Sequence, residues 1–170
     1  MIKVAVAAAA LVLLAACDAQ SPVNNVAVAN SAEANVPDTV AVDAETAKKL
    51  MHERHKGMEE IGKASKAVAA TLKTDAPDMA VIRASAARIA ELAEKSGNWF
   101  PAGTGPDVGK TRAKPEIWAK PEDFAAKDRD FQQAAQAFNA AATAGDLDAV
   151  AASFQQLGKT CKACHDSYRA

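Results

Sequence analysis

Five residues near the end of the chain, Cys161-Lys162-Ala163-Cys164-His165, have the types and spacing to do chemistry. Two thiols three positions apart sit one helical turn apart, where they can add across the two vinyl groups on one porphyrin edge. A histidine directly after the second thiol is then held beneath the iron. C-x-x-C-H is the attachment signature of a c-type haem. Cys161 and Cys164 therefore read as covalent attachment residues, His165 as the proximal axial ligand, and one haem c as the cofactor.

Two rival chemistries use the same residue types. A thioredoxin-like C-x-x-C opens a helix in a βαβ setting, where the helix N-terminus lowers a thiol pKa. Here the motif closes an Ala-rich helical pattern, and no strand pattern precedes it. A structural zinc site wants four N or S ligands in paired clusters. The other histidines, His52 and His55, lie more than a hundred residues away.

The elements that position this motif read as helices: 3.6-residue periodicity recurs four times, and no stretch alternates with a period of two. The first pattern covers residues 43–73, with Asp43 as N-cap and a stripe of Leu50, Arg54, Met58, Ile61, Ser65, Val68 and Leu72. The second starts near Asp75 and runs to about Lys95, with Met79, Ile82, Ala86, Ile89 and Ala93 inward. The third opens at Pro121-Glu122-Asp123, repeats Phe124, Phe131 and Phe138, and stops at Gly145, a residue suited to a helix C-terminus. Asp146 then caps a fourth helix with Leu147, Val150, Phe154 and Leu157 inward, and this helix carries the haem motif.

The fold expected is all-α, an antiparallel four-helix bundle with the haem near one end. Residues 96–120 form a long connection with Trp99, Phe100, four glycines, Gly103 and Gly105 among them, and three prolines. A loop that long needs a job. Covering the cofactor with Trp99 and Phe100 is one such job; capping the bundle end as a satellite cluster is the other. Ala and Ser occupy stripe positions where Leu or Ile would give a denser core, so a porphyrin is expected to supply volume to the interior.

The N-terminus reads as an address. Lys3 precedes an apolar run, Val4 to Ala16, too short for a membrane span. Leu14-Ala15-Ala16-Cys17 resembles a bacterial lipobox, which makes residues 1–16 a signal peptide and Cys17 a lipidated mature N-terminus; an ordinary signal peptide is the alternative. Residues 17–42 read as a flexible tether and residues 43–170 as the haem domain. The expected location is outside the cytoplasm, in a bacterial periplasm, with a lipid anchor in a membrane. Asp18 resembles an inner-membrane retention signal, although which membrane stays open. The formal net charge of −1 gives no basis for nucleic-acid binding.

With the haem motif on the last of four helices, the chain resembles the cytochrome c′ family, or class II c-type cytochromes. The resemblance spans residues 43–170 and is most specific at Cys161-Lys162-Ala163-Cys164-His165-Asp166-Ser167-Tyr168-Arg169. Arg54-x-x-x-Met58 matches a first-helix element of the family, and Lys114-Pro115-Glu116-Ile117-Trp118 matches the segment before the third long helix. The resemblance implies a bundle with haem near one end, often a homodimer through the first two helices, and an arginine at Arg169 flanking the proximal histidine. Arg54 on an apolar stripe is costly to bury unpaired. A haem propionate is one partner for it, and snorkelling at the stripe's edge is the alternative.

Two methionines bear on the sixth iron position. In five-coordinate members a non-ligating apolar side chain stands where Met58 stands here, leaving the iron open to NO or CO. In the low-spin branch a methionine seven residues earlier ligates, and Met51 holds that position. His/Met ligation favours electron transfer. Plain core packing is the alternative for both, and His55 offers a bis-His arrangement. An exported electron carrier with a redox partner protein leads this reading, and a gas-binding module is the alternative. No paired carboxylates, nucleophile–base pair or phosphate-binding glycine loop argues for an enzyme. Lys159, Lys162 and Arg169, with Lys110, Arg112 and Lys114 from the loop, form a candidate basic rim for an acidic partner, or ordinary surface charge.

Overall fold

Side-chain caps and backbone stops set where the helices begin and end. A computed structural model describes residues 42–170; the signal peptide, the tether up to residue 41 and Cys17 lie outside the described residues. Asp43 accepts hydrogen bonds from the Glu45 and Thr46 amides, both at 3.0 Å, and starts α1 (Ala44–Thr71). Asp78 caps Ala80 and Val81 at 2.8 and 3.2 Å to start α2 (Met79–Ser96). A single-turn α3 (Glu116–Ala119) precedes α4 (Pro121–Ala144), which has proline in its first turn, where no amide is needed. Gly145 ends α4 at φ 84°, a left-handed conformation that suits glycine, and returns its amide to Ala141 O. Asp146 caps α5 (Leu147–Tyr168).

Two expectations shift. The second helix begins at Asp78 rather than near Asp75. Proline disfavours helical backbone in the residue before it, so Pro77 holds Ala76 out of the helix, and the Asp78 amide is taken by the Thr71 hydroxyl at 2.6 Å. Leu147 does not belong to the buried stripe of α5: as the first helical residue it is 40% exposed.

The four long helices form a bundle in which α1 packs on α2, α2 on α4 and α4 on α5. The fourth side is open, because no Cα of α1 lies within 8 Å of a Cα of α5. Directly packed helices run 8–10 Å between axes, so α1 and α5 stand further apart than packed neighbours. Val68, Ile82, Ile89, Phe138, Val150 and Leu157 are fully buried and form the core that all four helices share. Burying side chains of that size stabilises by about 1.5–3 kcal/mol each. Among the described residues, no helix is long and apolar enough to cross a membrane.

Candidate haem site

The last turns of α5 carry Cys161, Cys164 and His165. Cys161 is half-buried against the edge of the core. Burial pushes its thiol pKa up. Burial also raises Cys164, assisted by the Asp128 carboxylate, to about 11. Both groups therefore stay protonated at neutral pH. A thioredoxin-type site needs the opposite shift, so that rival loses its chemistry here. Among the described residues, no three His, Cys, Asp or Glu side chains converge on a metal-binding position, which removes the zinc alternative there.

His165 faces solvent on one side. Packing of its ring against the protein, then the charges of Arg169 and Arg112, hold its pKa below the ordinary imidazole value. A neutral imidazole is the form that ligates iron. Arg112 reaches this end of the molecule because residues 112–114 pair with the chain end beyond α5. Lys114 donates its amide to Tyr168 O at 3.0 Å, and Ala170 donates to Arg112 O at 2.8 Å, around a bridge between Ala113 and Arg169.

Residues 97–115 cover the first half of α1. Trp99 is buried with its indole against Gly57, where a β-carbon would lie 2.3 Å from Trp99 Cη2. Arg54, 5% exposed, fastens the loop with four hydrogen bonds. Its NH1 donates to Trp99 O at 3.2 Å and Thr104 Oγ1 at 3.3 Å; its NH2 donates to Thr104 O and Thr111 Oγ1, both at 3.1 Å. The guanidinium also stacks 4.8 Å from the centre of the Phe100 ring. Sequence reasoning offered Arg54 a propionate; the structure gives it loop carbonyls and hydroxyls, partners that only the folded loop brings together. Neither of the two sequence readings of Arg54 described them.

Phe100 continues inward as an aromatic chain. Its ring centre lies 4.8 Å from Phe124, whose ring lies 5.3 Å from Tyr168, both edge-on. The Tyr168 hydroxyl donates to Asp123. Loop, α4 and α5 are thus joined at the end that carries the haem motif. Trp118 was read only as part of the resemblance, yet its indole N–H closes the loop on itself through Phe100 O at 3.1 Å and Pro101 O at 3.0 Å.

The two methionines sit differently. Met51 is buried, and its thioether lies on the loop: a β-carbon on Gly109 would be 3.3 Å from Met51 Cε and 3.7 Å from Sδ. Met58 is half-buried beside the core. His52 and His55 are both exposed, and His55 pairs with Glu59 at 3.4 Å.

These residues fit a covalently held, flat, acidic macrocycle. The donor set is two protonated thiols one turn apart followed by an imidazole below its usual pKa. The bundle has an open side between α1 and α5, and Arg54 is a buried cation with no carboxylate within ion-pair distance among the described residues.

The sequence model of the family described as Cytochrome C′ matches residues 49–169. Among curated proteins, cytochrome c′ of Alcaligenes xylosoxydans is 45% identical over 71 residues, covering 42% of this chain and only 54% of that protein. Cytochrome c′ of Pararhodospirillum photometricum is 35% identical over 116 residues, covering 68% of this chain and 92% of that one. Among solved structures, a nitric oxide complex of a variant of cytochrome c prime from Alcaligenes xylosoxidans superposes with a TM-score of 0.65 at 33% identity. It covers 76% of this chain and 98% of the other. Proteins of this family bind one covalently attached haem c. On its sequence, its bundle and its C-terminal thiol–imidazole set, the chain belongs to the cytochrome c′ family.

Proposed function

We propose that this protein is an exported haem protein whose iron, held by His165, has no protein ligand on its sixth side and binds a small neutral gas such as NO or CO. The observation that carries this reading is the placement of Met51. Its thioether is occupied by the loop at Gly109, and that loop is fastened to the same helix by Arg54. Met58, two turns further along α1 and half-buried beside the core, would then be the side chain that faces the gas. A relative's structure with nitric oxide supports the same chemistry.

In this reading Cys161 and Cys164 form the thioether links and His165 is the proximal ligand. A haem held by these residues would supply an iron able to change between ferric and ferrous and to bind the gas. The chain's own residues set the terms. Trp99 and Phe100 exclude water from the α1 side, Arg54 holds the loop and offers positive charge to a propionate, and Arg169 flanks His165. Met58, apolar and flexible, admits a neutral diatomic more readily than an anion. In this reading the protein binds and carries.

The second reading is an electron carrier with Met51 as sixth ligand. It is favoured by Met51 lying two turns before Met58 on one buried face of α1, on a side chain with three rotatable bonds. Optical spectra of ferric and ferrous holoprotein, before and after CO, separate the two readings. High-spin bands that shift at once with CO support the gas reading. Low-spin bands that CO leaves unchanged, and that Met51→Leu converts to high-spin, support the carrier.

Export is proposed from the N-terminus, with Cys17 as a lipidated anchor. Cys17→Ser is expected to release the protein from membranes into the soluble periplasmic fraction; unchanged fractionation would remove the anchor from the account.

A further inference from the structure

The cations of the loop are held on a fixed platform beside the haem motif. Residues 108–114 contain Lys110, Arg112 and Lys114 and no acidic residue. The segment is tied from two sides. Thr111 Oγ1 receives Arg54 NH2 and the Ala113 amide, both at 3.1 Å. The chain end is laid against it by the hydrogen bonds Lys114 N to Tyr168 O and Ala170 N to Arg112 O. The Ala113–Arg169 bridge therefore brings the backbone of residues 112–114 alongside Arg169, one turn from His165.

None of Lys110, Arg112, Lys114 and Arg169 has a carboxylate within 4 Å among the described residues. Of the carboxylates around the motif, Asp166 is engaged by Lys162 at 2.5 Å, Asp123 by Lys127 at 3.2 Å and by Tyr168, and Asp128 accepts from the Ser96 hydroxyl and the Gln132 amide. Lys110, Arg112 and Arg169 are exposed and Lys114 half-exposed. An excess of cations without ion-pair partners on a chain of net charge −1 is a local field, not a consequence of composition.

We propose that Lys110, Arg112, Lys114 and Arg169 form the docking surface for an acidic face of a redox partner protein. Their position argues for a protein rather than a lipid surface. Arg169 lies one turn from His165 on α5 and Arg112 is tied to the chain end, so the patch borders the turn that carries Cys164 and His165, where a partner's redox centre would come nearest an attached haem. Membrane attachment has no need of that turn. The surface serves either sixth-ligand arrangement, so it stands or falls separately from the gas reading.

The test uses reduced holoprotein and two small oxidants of opposite charge, ferricyanide and the tris-phenanthroline cobalt(III) cation. Each takes one electron from the ferrous protein, leaving ferric protein and reduced oxidant. A patch at the electron-exit site makes the ferricyanide rate fall severalfold, and the cobalt rate rise, between about 10 mM and about 0.5 M salt. That sign is opposite to the one a net negative protein gives. Arg112→Gln with Lys114→Gln is expected to reduce both slopes at least about twofold and to lower the salt needed for elution from a cation exchanger. The Soret band and thermal midpoint should stay in place. Slopes that follow the net charge, or that the double variant leaves unchanged, overturn the proposal. So does binding to phosphatidylglycerol vesicles that the double variant abolishes while the oxidant slopes persist, since the cations would then face lipid.

Discussion

Trp99 and Gly57 are in contact so close that Gly57 has no room for a side chain: a β-carbon there would sit 2.3 Å from Trp99 Cη2 and 2.5 Å from Cζ2. The ring is buried and rigid, so it cannot yield as the end of a flexible side chain would. Gly57→Ala is expected to lift Trp99 and the loop behind it, with a cost of about 1–3 kcal/mol typical of overpacking. Thermal denaturation of the holoprotein checks this. Gly62, on the same helix with nothing within 4 Å of its β-position, is the control: Gly62→Ala should be neutral or stabilising.

Arg54 is the fastening of the loop. Arg54→Met keeps the apolar stem but leaves the buried Trp99 and Thr104 carbonyls without their donor, at about 1–3 kcal/mol for each. The expected result is a lower denaturation midpoint together with rapid proteolysis within residues 101–112. Loss of stability without faster cleavage there would mean that the loop is held by something other than Arg54.

Tyr168, the one tyrosine in the chain, reports on its own hydrogen bond. Donation to Asp123 is the first cause of a phenol pKa raised to about 12, and it holds Asp123 below the usual carboxylate range. The phenol's folded pKa is raised, so its contribution is complete below pH 10 and is lost as pH rises towards 12. Asp123 is depressed, so its contribution is present above the ordinary carboxylate pKa and is lost as pH falls through its lower folded value. Ultraviolet titration should place the phenol near 12, and Asp123→Asn should return it towards 10. A wild-type midpoint at 10 would refute the bond.

Haem attachment should stabilise the bundle most along its open side. A chain with Cys161→Ala and Cys164→Ala cannot hold the group covalently. Hydrogen exchange is expected to accelerate in α1, which has only α2 as a packed helical neighbour, before α4, which packs on α2, α3 and α5. Uniform protection equal to the holoprotein would contradict this.

How much of this was legible in the sequence follows from the range of the forces involved. Local signals read correctly: Asp43 and Asp146 act as caps, Gly145 as a left-handed stop, and the predicted stripes of α1, α2 and α4 turn inward, with Leu50, Met58, Ser65 and Leu72 of α1, Met79 of α2 and Phe124 of α4 only half-buried. Asp75 misled because it resembles a cap as much as Asp78 does, and the Thr71 hydroxyl chooses between them across seven residues. Leu147 misled because periodicity cannot say where a first turn meets solvent. The open side between α1 and α5 and the four partners of Arg54 were out of reach, since both depend on how residues 97–115 fold back. A buried arginine in an apolar stripe signalled that a polar partner existed, but not that it was the loop.

Placement of the Met51 thioether against Gly109 carries the functional reading, and the optical spectrum of purified holoprotein tests it most directly. The account predicts high-spin ferric and ferrous bands, an immediate shift when CO is added to the reduced protein, and no change of spin state in Met51→Leu. Low-spin bands that CO does not disturb, becoming high-spin in Met51→Leu, would contradict it and make the protein a His/Met electron carrier.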